Sequence, residues 1–277
     1  MNIQYRDKEW LQTKYLTEEL STYKIAEICQ VDDECIRKWM IRFEIPRRKA
    51  YIANYCKFNE DLNNLITGSM LGDGSLSWGY ETVSAYYSLS SKYKKYLQYV
   101  KSVFEDISNI KTRGSIAKYT NDLGTWYVWQ TGYYRGWFPD LRRLWYPGNK
   151  KIIPNNIKLT PECLRTFYIE DGCLGINWKI QRIEYVSLAV NNFTFDDIAK
   201  LIQMMALELN IPFNDIKINK SCKPNQYNIV INKRAAIRAF FDYIGSCPSK
   251  IISCFGYKWP VITEDEITYN FRSFKNG

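Results

Sequence analysis

Two aspartates, Asp73 and Asp171, each stand directly before a glycine at the end of an apolar stretch, in NEDLNNLITGSMLGDG (residues 59–74) and TPECLRTFYIEDG (residues 160–172). Carboxylates brought together can hold a divalent cation through hard oxygen ligands. That arrangement suits phosphodiester hydrolysis, which needs an activated water, charge stabilisation on the phosphoryl oxygens and help for the leaving oxygen. The position of each acid fits this chemistry, because an acid at the C-terminal end of a helix opposes the macrodipole at a cost of roughly 0.3–1 kcal/mol. A cation between two such ends would offset that cost and relieve the repulsion between the acids. An Asp-Gly turn after each of two unrelated core helices is the plainer reading of either stretch alone.

The elements that must position the acids are well signalled. In the first stretch Asn59 is an N-cap, Glu60 and Asp61 fill the first turn, and Gly74 sits where a left-handed residue closes a helix. In the second, Thr160 caps, Pro161 fits the first helical position and Gly172 closes. Gly68 and Gly72, one turn apart, leave a smooth strip along which another helix can approach. After each helix the pattern continues as two strands, a helix, two strands and a helix. In the first copy these are LSWGYETVSAYYSLSS with Gly79 near its turn, KYKKYLQYVKSVFEDI, a strand pair around residues 121–124, and FPDLRRLWY. In the second copy they are GINWKIQRIEYVSLAVN, a helix opened by Thr194, the pair FNDIKINK and QYNIVINK, and RAAIRAFFDYIG. Two copies of one unit with acids 98 residues apart form an internal repeat. The fold expected is therefore α+β, with pseudo-symmetric tandem αββαββα repeats over residues 51–155 and 156–260, a connector at residues 50–58 and a tail at 261–277.

Residues 1–50 read as a small all-α module. One helix is expected over 5–20 with Trp10, Leu11 and Tyr15 inward, a second is capped by Ser21, and a third carries Ile36, Trp39, Met40 and Phe43 on one face. This is a helix-turn-helix pattern with small Ala26 at the crossing. Arg37, Lys38 and Arg42 lie on the polar face of the third helix, and Arg47 and Arg48 follow for phosphates or a minor groove. A trihelical module with a solvated basic face is the plainer alternative.

Composition narrows the chemistry. Histidine is absent, which excludes Ser-His-Asp triads, His-ligated metals and Cys2His2 fingers. The 8 cysteines form no CxxC pair and read as reduced thiols. No run of apolar residues is long enough for a membrane span, so a soluble intracellular protein with no membrane partner is expected, in the cytoplasm or nucleoid of a bacterial or phage host or in an organelle. The net charge is +9, concentrated in residues 51–160, which hold 14 basic and 8 acidic side chains. With 22 tyrosines, a polyanionic partner follows.

ITGSMLGDG (66–74) and LRTFYIEDG (164–172) resemble the two signature helices of the LAGLIDADG homing endonucleases. LWYPGNKKIIPNNIKLTPECL, NNFTFDDIAKLI and GYKWP resemble the segments that flank and close the repeats, so the likeness covers about residues 55–260. The resemblance implies a monomeric, two-repeat, site-specific nuclease that makes double-strand breaks in a long DNA target lying in a saddle of two four-stranded sheets, leaves short 3′ overhangs and serves intron homing. It implies Mg²⁺ as cofactor, with Mn²⁺ as substitute, held by Asp73, Asp171 and the carbonyls of Gly72 and Glu170. Lys151 and Lys258 match the family's basic residues that poise water or stabilise the pentavalent phosphate. Asn191 lies where the family often has a glutamine near a metal-bound water, with Ser90 as its counterpart. Base readout falls to the sheet faces, with Ser88, Ser90, Lys118, Gln130, Arg135, Lys179, Gln181, Arg182 and Asn228 as candidates. Two other readings stand beside the enzyme: an intron maturase that binds RNA on the same scaffold, and a DNA-binding regulator that relies on its helix-turn-helix.

Overall fold

In a computed structural model of the chain, the described residues are 3–18, 20–46, 54–79, 82–108, 110, 115–122, 124–180, 182–220, 226–263 and 266–269. The chain divides into two compact units, Met1–Ile52 and Ala53–Gly277.

In the first unit the start is broken rather than one helix. A 3₁₀ turn (Gln4–Arg6) precedes α1 (Lys8–Gln12) and a π turn (Thr13–Thr17). The break falls at Asp7, whose side chain accepts the Trp10 N–H at 3.0 Å and so needs extended backbone. Helix α2 (Thr22–Cys29) is capped by Ser21, and α3 (Asp33–Arg42) by Asp32. Between them Gln30 takes a left-handed conformation with φ 55°. Leu11, Ile25, Ala26, Ile36 and Met40 are buried together as a core of their own.

The second unit opens with β1 (Asn54–Cys56) and then repeats one order of elements. The first copy comprises α4 (Glu60–Leu71), β2 (Ser75–Trp78), β3 (Ala85–Ser91), α5 (Lys94–Ser108), β4 (Ala117–Asn121), β5 (Gly124–Gln130), β6 (Tyr134–Gly136) and α6 (Trp137–Trp145). The second comprises α7 (Pro161–Asp171), β7 (Gly172–Asn177), β8 (Arg182–Ala189), α8 (Phe195–Glu208), β9 (Ile216–Lys220), β10 (Tyr227–Ile231) and α9 (Arg234–Ile244). A short α10 (Ile252–Phe255) and a hairpin of β11 (Val261–Ile262) and β12 (Ile267–Thr268) follow, and Ile267 and Tyr269 are buried in the main core.

Strands β7-β8-β10-β9 form a four-stranded antiparallel sheet, and β2-β3-β5-β4 is its counterpart in the first copy. That first sheet is larger than expected: β1, in the stretch expected to be only a connector, pairs parallel with β6, and β6 joins β3.

Local caps decide where the signature helices begin. Asn59 accepts the Leu62 N–H at 2.9 Å and Thr160 the Cys163 N–H at 3.3 Å. Both helices are buried over most of their surface, as a pair at the centre of a fold must be. The glycine strip brings them together. A Cβ on Gly68 would stand 2.2 Å from the Cys163 carbonyl oxygen, and one on Gly72 2.7 Å from Glu170 Oε2. The closing glycines differ from expectation. Neither Gly74 nor Gly172 is left-handed, and Gly172 is extended with φ −84° and ψ 151°. Each is required by close approach instead, since a Cβ would meet the Ser69 hydroxyl at 2.4 Å or the Tyr168 ring at 2.0 Å.

Candidate active site

Helix pairing brings the two acids into electrostatic contact. Asp73 follows the end of α4 and Asp171 is the last residue of α7. Burial pushes the Asp171 carboxyl up to about 7, and the Asp73 charge adds to the rise. Asp73 is also raised by burial, against the pull of Lys258 and Lys151.

Each helix end also receives a lysine. Lys151 donates to the carbonyls of Gly72 (3.3 Å) and Gly74 (3.1 Å). Lys258 donates to those of Ile169 (2.6 Å) and Tyr168 (3.4 Å). An ammonium on carbonyls at a helix C-terminus is favoured by the macrodipole, so these lysines supply cationic compensation that the misplaced acids called for. Burial lowers both lysines to about 8, although Glu170, Asp171 and Asp73 pull them back up. The site therefore holds acids and bases whose proton affinities are drawn toward neutrality.

Glu170 does something its sequence position did not reveal. Its carboxylate turns into the helix interface, where it accepts from Ser69 Oγ (2.8 Å), Tyr96 OH (2.7 Å) and the Asp73 N–H (2.8 Å). Burial, then the Asp73 charge, raise it to about 8. These bonds commit the side chain, leaving only its backbone carbonyl for a metal. The Gly72 carbonyl is itself taken by Lys151. A cleft of about 500 Å³ opens beside Asp73, lined also by Ser90, Lys92, Tyr96, Glu170 and Lys258.

The donor set fits a hard divalent cation. The Asp73 charge raises the proton affinity of Asp171, and the unit offers oxygen ligands without imidazole. Among the described residues no group of three or more acidic or cysteine side chains forms a ready-made cage. Asp73 and Asp171 would therefore share a cation with backbone carbonyls, water or phosphate oxygens.

Strand register sorts the other candidates by face. Ser88 and Ser90 alternate with buried Tyr87 and Leu89, and Gln130 lies opposite Ser88, so these three share the open face of the first sheet. Lys118 does not join them. It pairs with Tyr127, which pairs with Ser91, on the face of buried Leu89 and Trp129. In the second sheet Asn228 stands opposite Ala189 and Asn219, alternates with buried Ile229, and shares the open face with Ser187 and Lys217, which sequence reasoning missed. Arg135 in β6 and Lys179 in the β7–β8 turn are exposed, and exposed Arg182 lines a separate cleft with Glu184 and Arg234.

Asn191 is not the partner of Ser90. Ser75 pairs with Ser88 and Cys173 with Ser187, so Ala189 corresponds to Ser90 and Lys92 to Asn191. The Asn191 amide oxygen accepts the Tyr227 N–H at 3.2 Å and so ties β10 to the end of β8. On α3, Arg37 pairs with Asp33 and Glu34 of its own helix, Arg42 lies 4.8 Å over the Trp39 ring, and Lys38 is exposed. Arg47, Arg48 and Gln181 lie outside the described residues. Lys92 and Lys217 escaped notice because only strand pairing assigns their positions.

Residues 63–240 match the LAGLIDADG DNA endonuclease family, and the chain belongs to it. It is 26% identical to an uncharacterized protein of Methanocaldococcus jannaschii, over 89% of this chain and 96% of that protein. It is also 26% identical to the cytochrome b mRNA maturase bI2 of Debaryomyces hansenii, over 69% of this chain and 72% of that protein. Among solved structures, the homing endonuclease I-WcaI bound to its DNA recognition sequence shares the fold, with a TM-score of 0.60, 19% identity and coverage of 73% of this chain and 87% of that one. Among the described residues no helix is long and apolar enough to cross a membrane.

Proposed function

We propose that the chain is a site-specific, metal-dependent DNA endonuclease that acts as a monomer, cuts both strands of a long target and leaves short 3′ overhangs. The observation that carries this reading is the paired centre: two acids near enough for the charge of Asp73 to raise Asp171, each beside a helix end whose carbonyls hold a buried lysine. A protein that only binds nucleic acid gains nothing from acids facing phosphate.

When bound, a cation such as Mg²⁺, or Mn²⁺ in its place, would activate water and screen the phosphoryl charge, with Asp73, Asp171 and the Glu170 carbonyl as the ligands on offer and the Gly72 carbonyl joining them where Lys151 gives it up. Lys151 and Lys258, with pKa values near 8, are suited to hold a proton for a leaving oxygen or to stabilise the pentavalent phosphate. Ser88, Ser90, Gln130 and Asn228 on the open sheet faces, with Arg135, Lys179 and Arg182, are the candidates for contacts to a duplex. The first unit adds contacts through Lys38, Arg42 and neighbouring basic residues as a helix-turn-helix.

Cleavage of a randomised plasmid library with Mg²⁺ tests the reading. The wild type should cut a narrow set of sites, and Asp73→Asn and Asp171→Asn should bind those sites without cutting both strands. A second reading, a maturase that binds intron RNA on this scaffold, draws on the likeness to the yeast maturase. Sequence-specific binding without metal-dependent cutting of any DNA would favour it.

A further inference from the structure

We propose that Glu170 is a positioning residue for Asp73, and that it makes the two halves of the acid centre unequal. This role rests on the endonuclease reading of the same site.

The signature helices end differently. Helix α7 runs through Asp171, so the backbone of that acid is part of its own helix, and the next amide, Gly172 N–H, still reaches the Tyr168 carbonyl. Helix α4 stops at Leu71, where Gly72 N–H bonds the Gly68 and Ser69 carbonyls and Gly74 N–H bonds Ser69 again. The amide between them, Asp73 N–H, goes to Glu170 Oε2 at 2.8 Å. In one half the acid is held by its helix; in the other it is held by a side chain from the opposite repeat.

That side chain is itself anchored. Ser69 Oγ and Tyr96 OH both donate to Oε1, and the Tyr87 hydroxyl lies 2.5 Å from Ser69 Oγ. Three donors on one buried carboxyl group leave it little freedom. The second half has no equivalent. At the repeat offset, Gly72 stands where the other copy has Glu170, and Phe167 where it has Ser69. The contact at Gly72 also leaves no room for a side chain that could reciprocate.

Removing the Glu170 carboxylate should therefore disturb one cut and spare the other. The test uses the full chain and a supercoiled plasmid carrying a site recovered from the library, with single-turnover rates resolved by strand at saturating protein. Glu170→Ala should slow at least tenfold the strand that Asp73→Asn slows, leave the other within threefold, accumulate nicked circles and keep plasmid affinity in chelator within threefold. Glu170→Gln, which retains an acceptor for Asp73 N–H, should recover the rate to within threefold of wild type. Equal slowing of both strands, or no slowing in a folded Glu170→Ala protein, overturns the proposal.

If Glu170→Ala does not fold, Ser69→Ala replaces it. Loss of one donor should give the same single-strand bias at two- to fivefold, and no bias overturns the role. Amide exchange in chelator reads the role without catalysis. Asp73 N–H should exchange at least tenfold faster in the variant while Asp171 N–H does not change. If the wild type cuts neither strand, the endonuclease reading fails and exchange alone decides: acceleration confined to Asp73 sustains the positioning role, and any other pattern ends it.

Discussion

Lys258 is 7% exposed, and its ammonium lies on the carbonyls that close α7. A buried charge without partners is costly, so its position depends on the dipole and the acids around it. Lys258→Met should leave plasmid affinity within threefold and lower the cutting rate at least tenfold, measured at saturating protein. The acids make a second prediction. An acid whose folded pKa lies above its unfolded value holds its proton more tightly in the folded chain, so stability falls as pH rises between the two values. Asp171 (about 7) and Glu170 (about 8) act this way. Lys151 and Lys258, lowered from 10.5 to about 8, act oppositely and restore stability as pH rises above 8. In chelator, the contribution of this site to stability should pass through a minimum near pH 8. Asp171→Asn should gain on the wild type from about pH 4 to 7 in urea melts, and a constant difference over that range would refute the assignment. Both acids were legible in the sequence because each stands directly before a Gly that punctuates the chain, whereas Lys151 and Lys258 were marked only by the family resemblance of KKIIP and GYKWP. The role of Glu170 was not, because Tyr96 and Ser69 lie 74 and 101 residues away from it.

At the scale of elements, the caps at Ser21, Asp32, Asn59, Thr160 and Thr194 decide where helices start, and each bonds a backbone amide two or three residues on. Such short-range chemistry can be read from a sequence alone. The β1–β6 pairing cannot, because it joins Asn54 to Tyr134 across the whole first copy. Register is equally remote, which is why the sequence leaves the face of Lys118 open and matches Asn191 with Ser90, a match that the strands do not give. Close helix approach was readable at Gly68, where a methyl group would press on the backbone of α7. Gly68→Ala should lower unfolding free energy by about 1–3 kcal/mol, the usual cost of overpacking, in a denaturant titration. Gly74 and Gly172 show the converse limit. An Asp-Gly pair announces a constraint, but the letters do not say whether a dihedral angle or a neighbouring atom imposes it.

At the scale of the whole molecule, each unit owns its core, so each has the means to fold by itself. A fragment spanning residues 53–277 should melt cooperatively and cut the same plasmid site with weaker affinity. Its binding should also depend less steeply on salt, by roughly 0.9 in slope for each phosphate that the first unit no longer neutralises. The glycine strip has a further consequence. Gly72 and Glu170 occupy equivalent positions and face each other across the helix pair, one an empty space and the other its filling. Self-association of the second repeat would press two buried carboxyl side chains together, and self-association of the first would leave a hole with nothing to fill it. Halves made as separate chains should accordingly seek each other rather than themselves. The two repeats are thus a lock and its key joined in one polypeptide, and neither copy can stand in for the other.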